Sequence, residues 1–297
     1  MYCLHPAYMT SLKMSVPCGQ CILCRKRRAA QWAARLTHEA RYHDRSSFIT
    51  LTYSSEYLPD PPSVCKRDWQ LFLKKLRKIK GGQSIRYFAC GEYGDTNFRP
   101  HYHAIMFGIS REDRQCVEAA WSRGGKPIGI VSVDACEIAS IRYVSGYITK
   151  KIKSNNDEFY HINGLQPPFQ LQSKGLGKRF AEENKRYLTD NTQFHISGLT
   201  VGIPRYYRKK VDIPASSYMK NARKRIESAI EIIEEQYGVS SSMKKHFIST
   251  ERNLDAYLDF LLKEHGITKA QEKALMSLAE KQTKRDLKPK PKRDRSF

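Results

Sequence analysis

The sequence predicts an α+β fold in which helices flank one antiparallel sheet, in the βαββαβ order of ferredoxin-like and RRM-like domains. Three observations predict this order. Short segments rich in β-branched and aromatic residues alternate with segments of helical spacing, the second and third strand patterns are close enough for a hairpin, and a helical pattern follows the last strand. The 297 residues also leave room for a helical C-terminal extension.

The first predicted elements are a loop, a helix and a strand. Residues 1–24 are loop-like, and a long basic helix is predicted from Arg25 to His43. SSFITLTYS (46–54) has the composition of a strand, and a proline-rich stretch ends it. DWQLFLKKLRKIK (68–80) has apolar residues three and four apart and therefore predicts the next helix.

The following elements complete the predicted sheet. IRYFACGEY (85–93) and HYHAIMFGI (101–109) predict two strands that pair as an antiparallel hairpin. REDRQCVEAAWSRG (111–124) predicts a helix, PIGIVSVDA (127–135) a fourth strand, and EIASIRYVSGYITKKIK (137–153) a closing helix.

The remainder divides by composition. Residues 154–214 are rich in Asn, Gly, Pro and Gln, which predicts loops and a hairpin around the core, and helical patterns return after Pro214. The chain is thus expected to have four parts. These are a cysteine-containing loop with the basic helix (1–45), a central domain (46–214), a helical region (215–288) and a basic, disordered tail (289–297).

The charge balance predicts a polyanionic partner. Lys and Arg number 52 against 30 acidic residues, a formal net charge of +22, although structural RNA binders and proteins on anionic lipid share this balance. A membrane-spanning apolar run and a signal peptide are both lacking. We therefore expect a soluble intracellular protein in a reducing compartment, where clustered cysteines bind metal more often than they form disulfides.

A candidate metal site lies on the predicted hairpin. His101 and His103 are two residues apart on one strand, so both imidazoles face the same side of the sheet. Glu92 ends the facing strand and can supply a carboxylate oxygen. Mixed nitrogen and oxygen ligands favour Mg²⁺ or Mn²⁺. The alternative is two histidines on a half-buried strand beside a solvated acid.

Two tyrosines lie on one face of the closing helix. Tyr143 and Tyr147 are four residues apart, with Lys150 near the same face and Lys151 beside it. An apolar stripe is predicted on the opposite face, formed by Ile138, Ile141, Val144, Ile148 and Ile152. Since that stripe already supplies the core contact, a nucleophilic role becomes plausible for the tyrosines. A phenol needs a nearby cation to react at neutral pH.

The N-terminal cysteines form a second cluster. Cys3, Cys18, Cys21 and Cys24 could hold a structural Zn²⁺ ion, although the C-x₂-C-x₂-C spacing is unusual for zinc, and four reduced, packed thiols are the alternative.

Arginines and aromatic residues supply candidate DNA contacts. Arg25, Arg28 and Arg35 lie on the first helix, and Arg99 precedes the His pair. Each could bind phosphate or form part of a solvated basic face. The nearby aromatic residues that could stack on unpaired bases are Tyr87, Tyr93 and Phe98.

Three ordered segments carry a resemblance to a known superfamily. FITLTY (48–53), RPHYHAIMFG (99–108) and YVSGYITKK (143–151) resemble the motifs of two-tyrosine HUH rolling-circle replication initiators. Three further segments resemble the initiators of gokushoviruses, single-stranded DNA phages of the microvirus family. They are VPCGQCILCRKRRAAQWAARL (16–36), GEYGD (91–95) and PRYYRK (204–209), whereas SKGLGKRF (173–180) departs from the R-P-G-I-G form of that family.

The resemblance implies a metal-dependent tyrosine DNA endonuclease and ligase. It implies that His101, His103 and Glu92 bind the metal, that Tyr143 and Tyr147 are the nucleophiles, and that Lys150 or Lys151 assists them. A tyrosine would nick single-stranded or viral origin DNA, keep the 5′-phosphate and leave a 3′-hydroxyl for a host polymerase; rejoining would circularise the displaced strand.

Two other classes remain as alternatives. An HUH transposase or relaxase would share the site and differ in its DNA substrate, and an RRM-like binding module would share the strand order without needing the histidines or tyrosines. Because the sequence has no P-loop motif, a host helicase is expected to unwind the duplex, which places the protein in the cytoplasm of the bacterial host.

Overall fold

The computed structural model describes residues 3–10, 14–94, 97–150, 155–191, 193–196, 199–214 and 216. The side chain of Lys150 and all of Lys151 fall outside the description, as do the predicted C-terminal helices, except for residue 216, and the tail. The chain forms two compact units, one of residues 1–185 and 193–211 and the other of residues 186–192 and 212–297. The second unit contains most of a short helix, Lys185–Asp190.

Helices and strands alternate through the first unit. The α-helices of the described chain are α1 (Ile22–Ala40), α2 (Lys66–Ile79), α3 (Arg114–Ala120), α4 (Ile138–Lys150), α5 (Asn155–Ile162), α6 (Lys178–Glu183), α7 (Lys185–Asp190) and α8 (Arg205–Lys210). The strands are β1 (Ala7–Met9), β2 (Met14–Val16), β3 (Ser46–Thr52), β4 (Arg86–Tyr93), β5 (Pro100–Phe107), β6 (Ser122–Arg123), β7 (Lys126–Pro127), β8 (Val131–Ala135), β9 (Phe169–Gln172), β10 (Gln193–Ile196) and β11 (Leu199–Gly202). None of the helices described is long and apolar enough to cross a membrane.

The main sheet has five strands in the order β8-β3-β5-β4-β9, and every neighbouring pair is antiparallel. β5 is therefore central, with β3 on one side and β4 on the other. The predicted α+β class with one antiparallel sheet and flanking helices is confirmed.

Period-2 alternation along the strands builds two cores on opposite faces of this sheet. On one face, Ile49, Tyr102 and Met106 pack with Trp69 of α2 and with residues that include Val117 of α3. On the other face, alternate residues of β4 and β5 pack with α1 and α4. These include Leu36, Phe88, Ile105, Phe107, Ile141 and Val144. This second face also contains the candidate site.

The predicted strand 127–135 is wrong in its first half. β8 begins only at Val131, and residues 126–127 pair instead with 122–123. The reason is a close backbone approach at Gly129, where a Cβ would collide with the carbonyl oxygen of Thr52. The Thr52 amide donates to the carbonyl of Ile130 at 3.0 Å, which holds this loop against the end of β3.

We expect Gly129→Ala to destabilise the fold by about 2–3 kcal/mol, because backbone cannot move aside as a flexible side chain can. Gly146→Ala is the matched control, since a Cβ there meets nothing within 4 Å and alanine favours the helix by about 0.5–1 kcal/mol. Urea unfolding of both variants measures the difference. Equal stabilities would contradict the close approach.

Three other predictions need correction. The first helix begins at Ile22 and ends at Ala40, not at 25 and 43. Residues 154–214 form the predicted hairpin, β10–β11, but also short helices and an added edge strand, β9. Ile138 in the first turn of α4 is 41% exposed, whereas Ile141 and Val144 are buried as predicted.

Candidate metal and tyrosine site

Strand register brings Glu92, His101 and His103 together. Glu92 of β4 is directly opposite His101 of β5, and His103 lies between Cys90 of β4 and Thr50 of β3. All three candidate ligands share the face that packs on α1 and α4. Glu92 and His103 are 5% and 7% exposed, so both polar groups are held largely away from water.

The far nitrogen of each imidazole is held by a neighbour. Nδ1 of His101 donates to the carbonyl oxygen of Arg99 at 3.0 Å, and Nδ1 of His103 lies 2.9 Å from the hydroxyl of Thr50. Both Nε2 atoms face the carboxylate of Glu92, at 2.8 Å for His101 and 3.7 Å for His103. Neighbours that hold Nδ1 in this way orient the rings of metal-binding histidines.

This donor set fits a divalent cation. A carbonyl can only accept, so Nδ1 of His101 bears hydrogen and, in a neutral ring, Nε2 directs a lone pair at the carboxylate. That arrangement requires a proton or a cation between the two groups. The three ligand atoms lie within 4.8 Å of one another, near the separation of about 4 Å for atoms that share one ion. These residues can therefore hold a metal ion.

We expect Thr50→Val to weaken metal binding by about 10- to 100-fold, because His103 loses the partner that fixes its ring. Titration with Mn²⁺ followed by electron paramagnetic resonance measures the affinity. Thr50→Ser keeps the hydroxyl and is expected to bind like the wild type. If the valine variant also binds normally, Thr50 does not orient the ligand.

Helix α4 places both tyrosines against His103. The Tyr147 ring stacks on the imidazole with centroids 5.4 Å apart, and the Tyr143 ring meets it edge-on at 5.3 Å. The hydroxyl of Tyr147 donates to that of Tyr143. Tyr143 is 48% exposed, whereas Tyr147 is half-buried. The two phenols thus differ in their access to a large substrate.

The surroundings of Tyr147 favour its neutral form. Burial raises the pKa of this phenol, and the charge of Glu92, with hydrogen bonds to Glu92 and Tyr143, raises it further. A cation held by Glu92 would oppose these effects, because it would neutralise the carboxylate.

The candidate arginines have different surroundings. Arg99 donates to the carbonyl of Tyr53 at 2.9 Å, so its side chain lies near the end of β3 while its own carbonyl holds His101. Arg35 of α1 instead packs between the rings of Trp32 and Tyr206 and donates to the carbonyl of Leu176. Its contacts are with the protein itself. Arg28 is exposed and Arg25 partly so.

An aromatic cluster lies beside the metal site. The Phe98 ring stacks on Tyr93 with centroids 4.4 Å apart and meets the Phe159 ring edge-on at 5.8 Å. Phe98 and Phe159 are 40% and 47% exposed, whereas Tyr93 is buried. Tyr87 packs on Trp69 in the core. Of the three predicted stacking residues, Phe98 therefore presents the most accessible ring.

Sequence reasoning missed Thr50 and Phe159. Thr50 follows the period-2 pattern of its strand, but its pairing with His103 depends on β3 lying next to β5, which local sequence does not give. The four N-terminal cysteines, by contrast, lie together as their spacing suggested.

The chain was compared with known proteins. A family model of replication-associated proteins, described by the name ORF2, matches residues 46–152. Replication-associated protein ORF2 of Spiroplasma virus 4 is 28% identical, over 67% of this chain and 68% of its own length. Replication-associated protein VP4 of Bdellovibrio phage phiMH2K is 30% identical, over 65% and 66%.

A third relative, replication-associated protein ORF4 of Chlamydia phage 1, is 28% identical over 65% of this chain and 52% of its own length, so the match spans about half of that protein. No solved structure shows significant similarity to the chain. The segment matched by the family model contains both histidines, Glu92 and both tyrosines. The chain therefore belongs to the family of phage replication-associated proteins, as a rolling-circle replication initiator.

Proposed function

We propose that the chain nicks single-stranded viral origin DNA through a 5′-phosphotyrosine intermediate and later rejoins it. The observation that carries this proposal is the contact of Tyr143 and Tyr147 with His103, the histidine that shares a ligand cluster with Glu92 and His101. A nucleophile beside a cation site is the arrangement that phosphoryl transfer to a phenol requires.

The proposal includes the metal and the fold. Glu92, His101 and His103 would hold Mg²⁺ or Mn²⁺, which supplies charge neutralisation at the scissile phosphate when bound. The first four strands of the βαββαβ series lie in the order 4-1-3-2, which supports a ferredoxin-like assignment of the predicted 46–214 endonuclease domain.

The nicking step follows from this arrangement. The phenolic oxygen of a tyrosine attacks the scissile phosphorus and loses its proton, forming a new O–P bond. The bond between phosphorus and the 3′ oxygen breaks, and that oxygen takes up a proton to become a 3′-hydroxyl. Because one phosphodiester replaces another, the bond energy is kept and rejoining needs no ATP.

The second tyrosine allows transfer to continue. Once a polymerase has extended the 3′-hydroxyl and the origin is regenerated, the other phenol attacks the new junction. The freed 3′-hydroxyl then attacks the first phosphotyrosine, which releases a circular strand and the first phenol. Lys150 and Lys151 would assist through their positive charge, and a host helicase and polymerase are the expected partners.

The exposed ring of Phe98 offers a stacking surface for an unpaired base. Phe98→Ala is therefore expected to weaken binding of a single-stranded oligonucleotide by about 1–3 kcal/mol, at least about fivefold, whereas Phe98→Tyr should bind normally. Fluorescence anisotropy measures the affinity. Leu71→Ala, a similarly exposed apolar site on α2, is the control. Equal losses in Phe98→Ala and Leu71→Ala would rule out specific stacking.

The test of the proposed function is adduct formation. Full-length protein is incubated with labelled circular single-stranded phage DNA, with Mn²⁺ or with a chelator, and denatured before electrophoresis. A labelled protein–DNA adduct that needs the metal supports the proposal. Tight DNA binding with no adduct under any metal or origin sequence would favour the RRM-like binding module instead.

A further inference from the structure

The N-terminal cysteines converge from two separate segments. Cys18, Cys21 and Cys24 lead into the first turn of α1, and Cys3 lies 15 residues before the first of them. The four sulfurs are within 4.8 Å of one another. This convergence does not involve the metal and tyrosine site and does not depend on the proposed function.

The sulfur separation distinguishes among three kinds of cysteine site. Cys3 Sγ and Cys21 Sγ are 3.8 Å apart, too far for a disulfide of about 2.05 Å. Four thiolates at about 2.3 Å from one tetrahedral zinc ion are separated by about 3.8 Å. Thiolates on different irons of an iron–sulfur cluster lie farther apart, because sulfide ions separate the metals. The observed distance fits a single tetrahedral ion.

The turn between the first two ligands is shaped to hold thiolates. Gly19 has φ of +74°, a conformation that glycine adopts without strain. The amides of Gln20 and Cys21 both donate to Cys18 Sγ, at 3.4 and 3.3 Å, and the Cys18 amide donates to Cys3 Sγ at 3.2 Å. Backbone donors aimed at sulfur stabilise its charged form.

The charge of such a site is also offset. Four thiolates and Zn²⁺ carry a net charge of −2, and the guanidinium of Arg27 lies 3.8 Å from Cys24 Sγ. The thiolates would also lie at the N-terminus of α1, where the helix dipole favours negative charge.

We propose that Cys3, Cys18, Cys21 and Cys24 bind one structural Zn²⁺ ion that anchors the N-terminal hairpin β1–β2 to the start of α1. A two-stranded hairpin is marginally stable alone, so the ion gives it a fixed attachment. Because Trp32 of α1 packs on Phe88 of the sheet at 4.9 Å, the anchor also connects the N-terminal segment to the second core.

The test is the metal content and the cobalt spectrum of the full-length protein. Zinc and iron per chain are measured by mass spectrometry for wild type, Cys21→Ser and two controls, Cys116→Ser and His103→Ala. After replacement of the metal with Co²⁺, thiolate-to-cobalt charge-transfer bands report sulfur ligation. We expect one thiolate-bound ion in wild type and both controls, and its loss in Cys21→Ser with a lower unfolding temperature.

Each result decides the proposal. Wild-type protein without zinc, with iron in its place, or without the cobalt–thiolate bands would overturn it, as would full zinc retention in Cys21→Ser. If Cys21→Ser does not fold, the cobalt bands of wild type decide alone, because Glu92, His101 and His103 contain no sulfur. His103→Ala separates this site from the proposed catalytic metal, so either proposal can fail without the other.

Discussion

Tyr143→Phe is expected to slow the first cleavage of single-stranded origin DNA by at least about 1,000-fold, because it removes the more accessible of the two phenols. Tyr143 is 48% exposed and accepts a hydrogen bond from Tyr147, which would stabilise negative charge on the Tyr143 oxygen as it becomes the nucleophile. Single-turnover adduct formation with Mn²⁺ measures this rate.

Tyr147→Phe tests the other half of the assignment. It should still form the first adduct, about tenfold more slowly for the lost hydrogen bond, but should fail to transfer the strand to a second origin. Tyr8→Phe, an exposed tyrosine outside the site, is the control. A normal first adduct in Tyr143→Phe would assign the first cut to Tyr147, and an adduct in the double variant would remove both tyrosines from the mechanism.

The sequence predicted the order of the main elements because each has a strong local pattern. The buried face of α2, for example, repeats at helical spacing through Trp69, Phe72, Leu73 and Leu76. The edge strand β9 escaped prediction because only Phe169 is buried in it, and its pairing with β4 is set by tertiary contacts. The fourth strand was predicted to begin too early for a similar reason, since its true start depends on the approach of Gly129 to Thr52.

The candidate site was predictable where local geometry suffices. Two histidines two residues apart on a strand must share a face, and two tyrosines four apart on a helix must do so too. That the tyrosine helix lies over the histidine face is a tertiary fact, as are the contact of Thr50 with His103 and the packing of Arg35 inside the protein. A basic helix alone did not indicate which arginines pack inward.

His103→Ala is expected to abolish both metal binding and adduct formation. This imidazole is the point where the ligand cluster meets the tyrosines, since it faces Glu92, is held by Thr50 and contacts both phenol rings. Losing a direct ligand should weaken Mn²⁺ binding by more than the roughly 10- to 100-fold expected for an outer partner. Mn²⁺ titration and single-turnover cleavage on the same preparation test both effects.

Two comparison variants separate metal loss from structural damage. Glu92→Gln keeps the side-chain shape and removes the charge, so it should lose metal affinity while unfolding at a temperature close to that of wild type. His161→Ala, an exposed histidine on α5, should change neither quantity. If His103→Ala binds Mn²⁺ normally yet forms no adduct, His103 serves to position the tyrosines and the metal lies elsewhere. If it forms the adduct at the wild-type rate, the cluster of Glu92, His101 and His103 is not the catalytic site.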